Sequence, residues 1–244
     1  FDIGITTEMI DMSENDGTSE LIFIYNKNRN RKKSEYIEDE ANKLILSFEK
    51  EIINKTFPKI HSERELSYLK DVNWSAAEIE PHLDGTHVSI FKHNKIFFIR
   101  AWHKDQDPDD LRAKEVRGIL ASKCNPWFAP FAENNIGKSC CWTFELVSPK
   151  FKNIVEYKES KLYLITIFNK EHAFECSKQF TDVFALKNGF DRLERKPVKN
   201  MGQVLGILNS ETTLTKGLII SDDNKHRVKV MNPVYKILDN MKNL

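Results

Sequence analysis

Cysteine is scarce in this sequence, with four residues, Cys124, Cys140, Cys141 and Cys176, among 244. No CxxC pair occurs, and the adjacent Cys140 and Cys141 sit before an apolar stretch. That leaves little basis for a disulfide framework or a zinc site, and a reduced intracellular protein is expected. Long apolar runs are also missing. None approaches the ~18 residues that cross a bilayer, so no membrane partner is expected. The start, Phe1-Asp2-Ile3-Gly4, lacks signal-peptide character and an initiator methionine, which points to a fragment or a processed form. Charge of one sign is not in excess either: 37 basic and 36 acidic residues give a net charge of +1. Bulk charge therefore neither demands nor excludes nucleic acid, and any basic surface must be local. Internal repeats and low-complexity segments are absent.

What remains is a globular composition, 40% hydrophobic and 30% charged, on a chain long enough to bury a sizeable core. Leu21–Tyr25 reads as a strand. A basic run follows, Lys27, Arg29, Arg31, Lys32 and Lys33, either a solvated loop or an arm that contacts phosphates. Apolar residues at Ile37, Ala41, Leu44, Ile45, Phe48, Ile52 and Ile53 have helical spacing, with Ser34 as cap and Pro58 beyond the end, so a long helix is predicted there. Residues 1–78 are expected to form an accessory region of strand, basic loop and long helix. Residues 79–244 are expected to form the main domain.

The centre of the chain is Glu80-Pro81-His82-Leu83-Asp84-Gly85, a polar turn leading into the apolar stretch Thr86–Ile90. A second apolar stretch, Ile96–Arg100, follows the short linker 93–95, so a β-hairpin is predicted. Helices are predicted from Leu111 to Leu120, Phe180 to Leu186, Met201 to Leu208 with Asn200 as cap, and Val234 to Leu244. Strands are predicted at Trp142–Val147, Ile154–Tyr157 and Leu162–Phe168. Leu218–Ser221 and Arg227–Val230 should form another hairpin. Strands cluster after residue 83, and α+β is the expected class.

Four segments in order carry chemistry. They are His82-Leu83-Asp84-Gly85, Phe144-Glu145-Leu146-Val147, Lys216-Gly217-Leu218-Ile219-Ile220, and Val228-Lys229-Val230 with Tyr235 following. This series resembles the covalent nucleotidyltransferase superfamily of ATP-dependent ligases and capping enzymes, most of all its phage-type RNA ligase branch, with degenerate motifs. The resemblance covers about residues 78–240. It implies an ATP-grasp-like ligase fold of antiparallel sheets flanked by helices. It also implies a lysine amine that takes AMP from ATP as a phosphoramidate and passes it to a 5′-phosphorylated RNA end. His82 stands where the family has that lysine. Lys216 stands where it has a metal-supporting glutamate, which puts Mg2+ in doubt. Met231 replaces the second lysine of the last motif.

Asp84, Gly85, Glu145, Gly217 and Lys229 match the family's motifs. By the same resemblance, Arg100 is the basic residue of the second hairpin strand, and Phe168 is the aromatic that stacks on a purine. The expected site is thus His82 and Lys229 for catalysis, with Asp84, Gly85, Arg100, Glu145, Phe168, Lys216 and Gly217 for nucleotide. RNA contacts are expected from Lys27–Lys33 and Arg227, with Trp102 as a stacking surface. Plainer readings stand beside these. Asp84-Gly85 is a common turn, Glu145 suits a structural ion pair, and His82 suits an ordinary loop histidine. Three functions follow. One is a degenerate domain that binds nucleotide or RNA ends. A second is an enzyme using His82 or a noncovalent ATP site. The third is a structural subunit of a larger assembly.

Overall fold

The computed structural model describes residues 6–11, 20–25, 43–47, 49–58, 60–64, 66–102, 111–133, 139–151 and 153–242. The chain is α+β and falls into two compact units. The first contains residues 1–59, 86–146 and 162–192; the second contains 60–85, 147–161 and 193–244. The chain crosses between them several times, and both units draw on residues before and after position 78.

The first unit holds two sheets. One is the four-stranded array β1 (Thr6–Asp11), β2 (Glu20–Tyr25), β3 (Leu44–Ser47) and β4 (Ile52–Asn54), in that order. The other is built from β7 (Thr86–His93), β8 (Ile96–Trp102), β9 (Cys140–Val147), β10 (Lys161–Asn169) and β11 (Phe174–Glu175). Its order is β11-β10-β9-β7-β8. The predicted hairpin is β7–β8, antiparallel, with Asn94 and Lys95 at positive φ in the turn. One sheet face carries Val88, Ile90, Trp142, Phe144 and Leu146 into a core with Phe131, Phe184 and Phe190. Helix α2 (Leu111–Lys123) covers this unit with the buried Val116 and Leu120, after the short α1 (Leu66–Lys70) of the second unit. Helices α3 (Ala129–Ala132) and α4 (Lys178–Asn188) complete it.

The second unit is a sheet of order β12-β6-β13-β14-β5. Its strands are β5 (His61–Ser62), β6 (Glu78–His82), β12 (Lys196–Pro197), β13 (Gly217–Ser221) and β14 (Arg227–Met231). Ile79, Leu218, Ile220, Val228 and Val230 alternate onto one face. They pack with Val72, Val198, Val204 and Leu208, the last two from α5 (Met201–Ser210). Asn200 caps α5 as expected, its Oδ1 accepting the Gln203 N–H at 3.0 Å. Helix α6 (Pro233–Lys242) follows β14.

Two elements differ from expectation. Over residues 43–54 the predicted long helix is replaced by the hairpin β3–β4; the earlier part of that helix, and the basic run 27–33, lie outside the described residues. The Ile- and Leu-rich stretch fits period two as well as 3.6, and Ile45 and Ser47 are the buried alternates. A turn closes it: Ser47 and Glu51 pair through their backbones, and Lys50 takes φ 68°. The second difference is Ile154–Tyr157, which forms no strand; the amides of Ile154 and Val155 are committed to a side chain instead.

Candidate functional site

In the second unit, sheet register sorts the motif residues. Gly217 pairs with both His82 and Met231, so these three form one row across β6, β13 and β14. The next rows are Glu80–Ile219–Lys229 and Glu78–Ser221–Arg227. Directly opposed residues share a face. His82, Lys229, Met231 and Arg227 therefore lie together on the face opposite the apolar core. Gly217 is buried with φ 151°, and a Cβ there would meet the Val230 carbonyl oxygen at 2.2 Å. Only glycine fits this approach of β13 to β14. Gly85 lies in the turn before β7.

Asp84 has a different fate. Its carboxylate is 4% exposed and accepts from Tyr235 OH at 2.7 Å, Asn153 Nδ2 at 2.8 Å, and the amides of Ile154 and Val155 at 2.9 and 3.0 Å. The Lys216 ammonium stands 3.7 Å away, and the Asp84 amide donates to Tyr157 OH. Burial alone would raise this carboxyl; the Val155 amide, Tyr235, Asn153 and Ile154 outweigh it and hold it below the ordinary carboxylate value. The Tyr235 hydroxyl is pushed up, by burial first and by Asp84 second. The absent strand at 154–157 follows in part from these donors: the Ile154 and Val155 amides serve Asp84 instead of a neighbouring strand. Asp84 is a hub for four segments of chain, and its lone pairs are filled from within.

In the first unit, the face of β7, β8 and β9 opposite the aromatic core carries three rows: Glu145–His87–Trp102, Thr143–Ser89–Arg100 and Cys141–Phe91–Phe98. Glu145 Oε2 is 2.6 Å from His87 Nε2. The other imidazole nitrogen, Nδ1, is hydrogen-bonded to Lys43 Nζ. The ammonium can only donate, so Nδ1 is the acceptor and the ring proton sits on Nε2, facing the carboxylate. Phe57 meets the imidazole edge-on at 5.3 Å between centroids. Trp102 donates to Ser89 Oγ at 2.8 Å, and the Arg100 guanidinium carbon lies 5.8 Å from its ring centroid. Phe168 is buried among Ile45, Ile53, Phe91 and Cys141, with Lys55 Nζ 5.4 Å from its ring centroid. The half-buried Trp102 is the more accessible aromatic. Sequence reasoning missed His87 and Lys43. The polar residue of a period-two strand was visible at 87, but its pairing with Glu145 needs register.

No protein-family model matches the sequence, and no curated protein matches it. Solved structures do. The chain superposes on an archaeal ATP-dependent RNA ligase with TM-score 0.66 at 10% identity, over 94% of its own length and 59% of the other chain. It matches the Naegleria gruberi RNA ligase with PPi at TM-score 0.56 and 14% identity, over 79% of this chain and 59% of that one. An Aquifex aeolicus protein assigned as an ATP-dependent DNA ligase gives 0.58 at 17%, over 99% and 64%. The fold is that of the ATP-dependent nucleic-acid ligases. The chain spans 59% of the length of the archaeal ligase it matches. Within this ligase fold, the structure brings His82, Lys229, Arg227, Lys216 and Gly217 into one unit. It puts Arg100, Glu145 and Phe168 in the other.

A divalent cation, which the ligase fold implies, does not fit the residues around Asp84. Its carboxylate is saturated by donors, and the nearest further charged group is the Lys216 ammonium, which cannot ligate a cation. Among the described residues, no group of three or more His, Cys, Asp or Glu side chains is placed to hold a metal.

Proposed function

We propose that this chain is a ligase-like nucleotidyltransferase domain that binds a nucleoside triphosphate, ATP by resemblance, and 5′-phosphorylated RNA ends. It is degenerate at the family's lysine, which is His82 here. The observation that carries this reading is the non-core sheet face of the second unit. His82, Lys229 and Arg227 share it with Glu80 and Glu78, and Gly217 lets β13 approach β14 there. A lysine and an arginine two residues apart on one strand present two cations suited to phosphate oxygens. Lys216 is half-buried against Asp84 and makes the neighbourhood less negative than a glutamate would. Phosphate charge would thus be met by protein cations, with no metal in the step.

Equilibrium binding of labelled ATP, and of RNA oligomers with 5′-phosphate or 5′-hydroxyl ends, tests this. ATP and the phosphorylated RNA should bind, and Lys229→Ala should weaken ATP about tenfold, the worth of one charged hydrogen bond. If neither ATP nor phosphorylated RNA binds, the reading is wrong.

A further inference from the structure

We propose that Cys140 and Cys176 form a reversible thiol site in the first unit, which exchanges with small-molecule disulfides and closes to an intramolecular disulfide. Cys176 is the thiol that reacts first, and Cys140 is the one that resolves it. The site is independent of the nucleotide-binding reading above.

The backbone gathers three of the four cysteines at the end of β10. The Lys170 amide donates to the carbonyl of Ser139, next to Cys140, at 2.6 Å, and the Cys176 amide donates to the Ile167 carbonyl at 2.8 Å. Cys141 Sγ stands 3.8 Å from the Phe168 carbonyl oxygen. The side chains have different partners. Cys141 is 1% exposed, donates to the Lys55 carbonyl at 3.1 Å and accepts from the Lys55 amide at 3.4 Å. That is the structural role of a buried thiol. One position back on β9, Cys140 faces the other side of the sheet and hydrogen-bonds the Cys176 side chain instead. All of these are thiols in this structure, and a pair already in contact is the arrangement that a disulfide requires. Access sets the order of events. Cys140 is buried, whereas Cys176 is half-buried and follows β11, the edge strand of its sheet. A reagent therefore meets Cys176 first. Protonation follows the same order. The hydrogen bond to Cys176, and burial after it, push the Cys140 thiol up, so Cys140 keeps its proton while Cys176 accepts. The Lys170 ammonium, anchored on the Lys92 carbonyl at 3.2 Å, opposes that rise and favours a Cys140 thiolate.

The chemistry is two successive exchanges. Cys176 loses its proton to water, and its thiolate attacks one sulfur of the small disulfide. The sulfur–sulfur bond of the reagent breaks, and one small thiolate leaves with the electron pair and takes up a proton. Cys176 then carries a mixed disulfide and no longer holds the Cys140 proton in place. Cys140 loses that proton, its thiolate attacks Cys176 Sγ, and the second small thiol leaves. The protein gives up two hydrogens and two electrons, and the reagent is reduced to two thiols. In a reducing compartment a link of this kind is transient and reports the thiol–disulfide balance.

The test equilibrates the whole chain with oxidised glutathione, digests it without reductant and maps the products by mass spectrometry. A Cys140–Cys176 link, two hydrogens lighter than the dithiol and reversed by dithiothreitol, is expected. Cys141→Ser should form the same link. Cys140→Ser should stop at a glutathione adduct on Cys176, which the parent should not accumulate. The parent also gives a readout without variants: after oxidation, N-ethylmaleimide under denaturing conditions should label Cys124 and Cys141 and spare Cys140 and Cys176. The closed form should melt several degrees higher than the thiol form, because the link restricts the unfolded chain. No link, a link through Cys141, or a parent that stops at the adduct overturns the proposal, and so does a closed form that melts below the thiol form. None of these readouts involves nucleotide, so their failure leaves the nucleotide reading untouched.

Discussion

Asp84 and Glu145 are both buried carboxylates at positions that match the ligase motifs, and the structure uses them in opposite ways. Asp84 receives two backbone amides, an amide side chain and a tyrosine hydroxyl, with a lysine nearby. Glu145 faces one imidazole, which leads on to a lysine. The first carboxylate is consumed in tying chain segments together. The second lies in a short polar series that ends in a reachable amine. Agreement with a motif therefore does not distinguish a structural anchor from a chemical group; the hydrogen-bond inventory of each residue does.

The largest effect that tests this contrast should come from removing the charge on Asp84. Asp84→Asn would aim an amide at donors and leave the Lys216 ammonium without its counter-charge. We expect a loss of about 3 kcal/mol in denaturant unfolding. Glu145→Gln keeps an acceptor for His87 and should cost under about 1 kcal/mol in the same assay. Equal losses at the two positions would erase the distinction. Gly217→Ala comes next, since its Cβ would collide with the backbone of β14 in a left-handed conformation. A loss of about 2 kcal/mol or more is expected by thermal melting.

Lys216→Glu puts a second carboxylate beside Asp84. About 1 to 2 kcal/mol should be lost, and Lys216→Gln should lose less, because only the glutamate adds repulsion. A Lys216→Glu variant as stable as the parent would show that the pair with Asp84 is incidental. The smallest effect is the pH dependence. The folded-state value of Asp84 is depressed, so its contribution is present above the ordinary carboxyl value of about 4 and is lost as pH falls through the lower folded value. Asp84→Asn should flatten that part of the acid unfolding curve.

Much of the fold was readable from the sequence, for reasons visible in particular residues. The β7–β8 and β13–β14 hairpins, the buried strand with Glu145 inside it, and the helix capped by Asn200 all announce themselves locally. The run from Ile37 to Ile53 misled because its apolar spacing serves both periods. Only Lys43 and Lys50 at positive φ, with the Ser47–Glu51 pairing, make its described part a hairpin. Ile154–Tyr157 reads as a strand, but the amides of Ile154 and Val155 bond to a side chain some seventy residues earlier in the chain. His87 went unnoticed for a similar reason: its partners, Lys43 and Glu145, come from distant strands, and only register joins them. In the ligase motifs, the departures at His82, Lys216 and Met231 were plain in the sequence. That His82 and Met231 flank Gly217 in one row, immediately beside Lys216, was not.

In the proposed nucleotide site, phosphate charge is met by protein cations at His82's sheet face. Its most direct test is the affinity for ATP measured once in EDTA and once in excess Mg2+. Binding that persists in EDTA, within about threefold of the value in Mg2+ and weakened by Lys229→Ala, is the expected result. Binding that appears only with the divalent ion would contradict it.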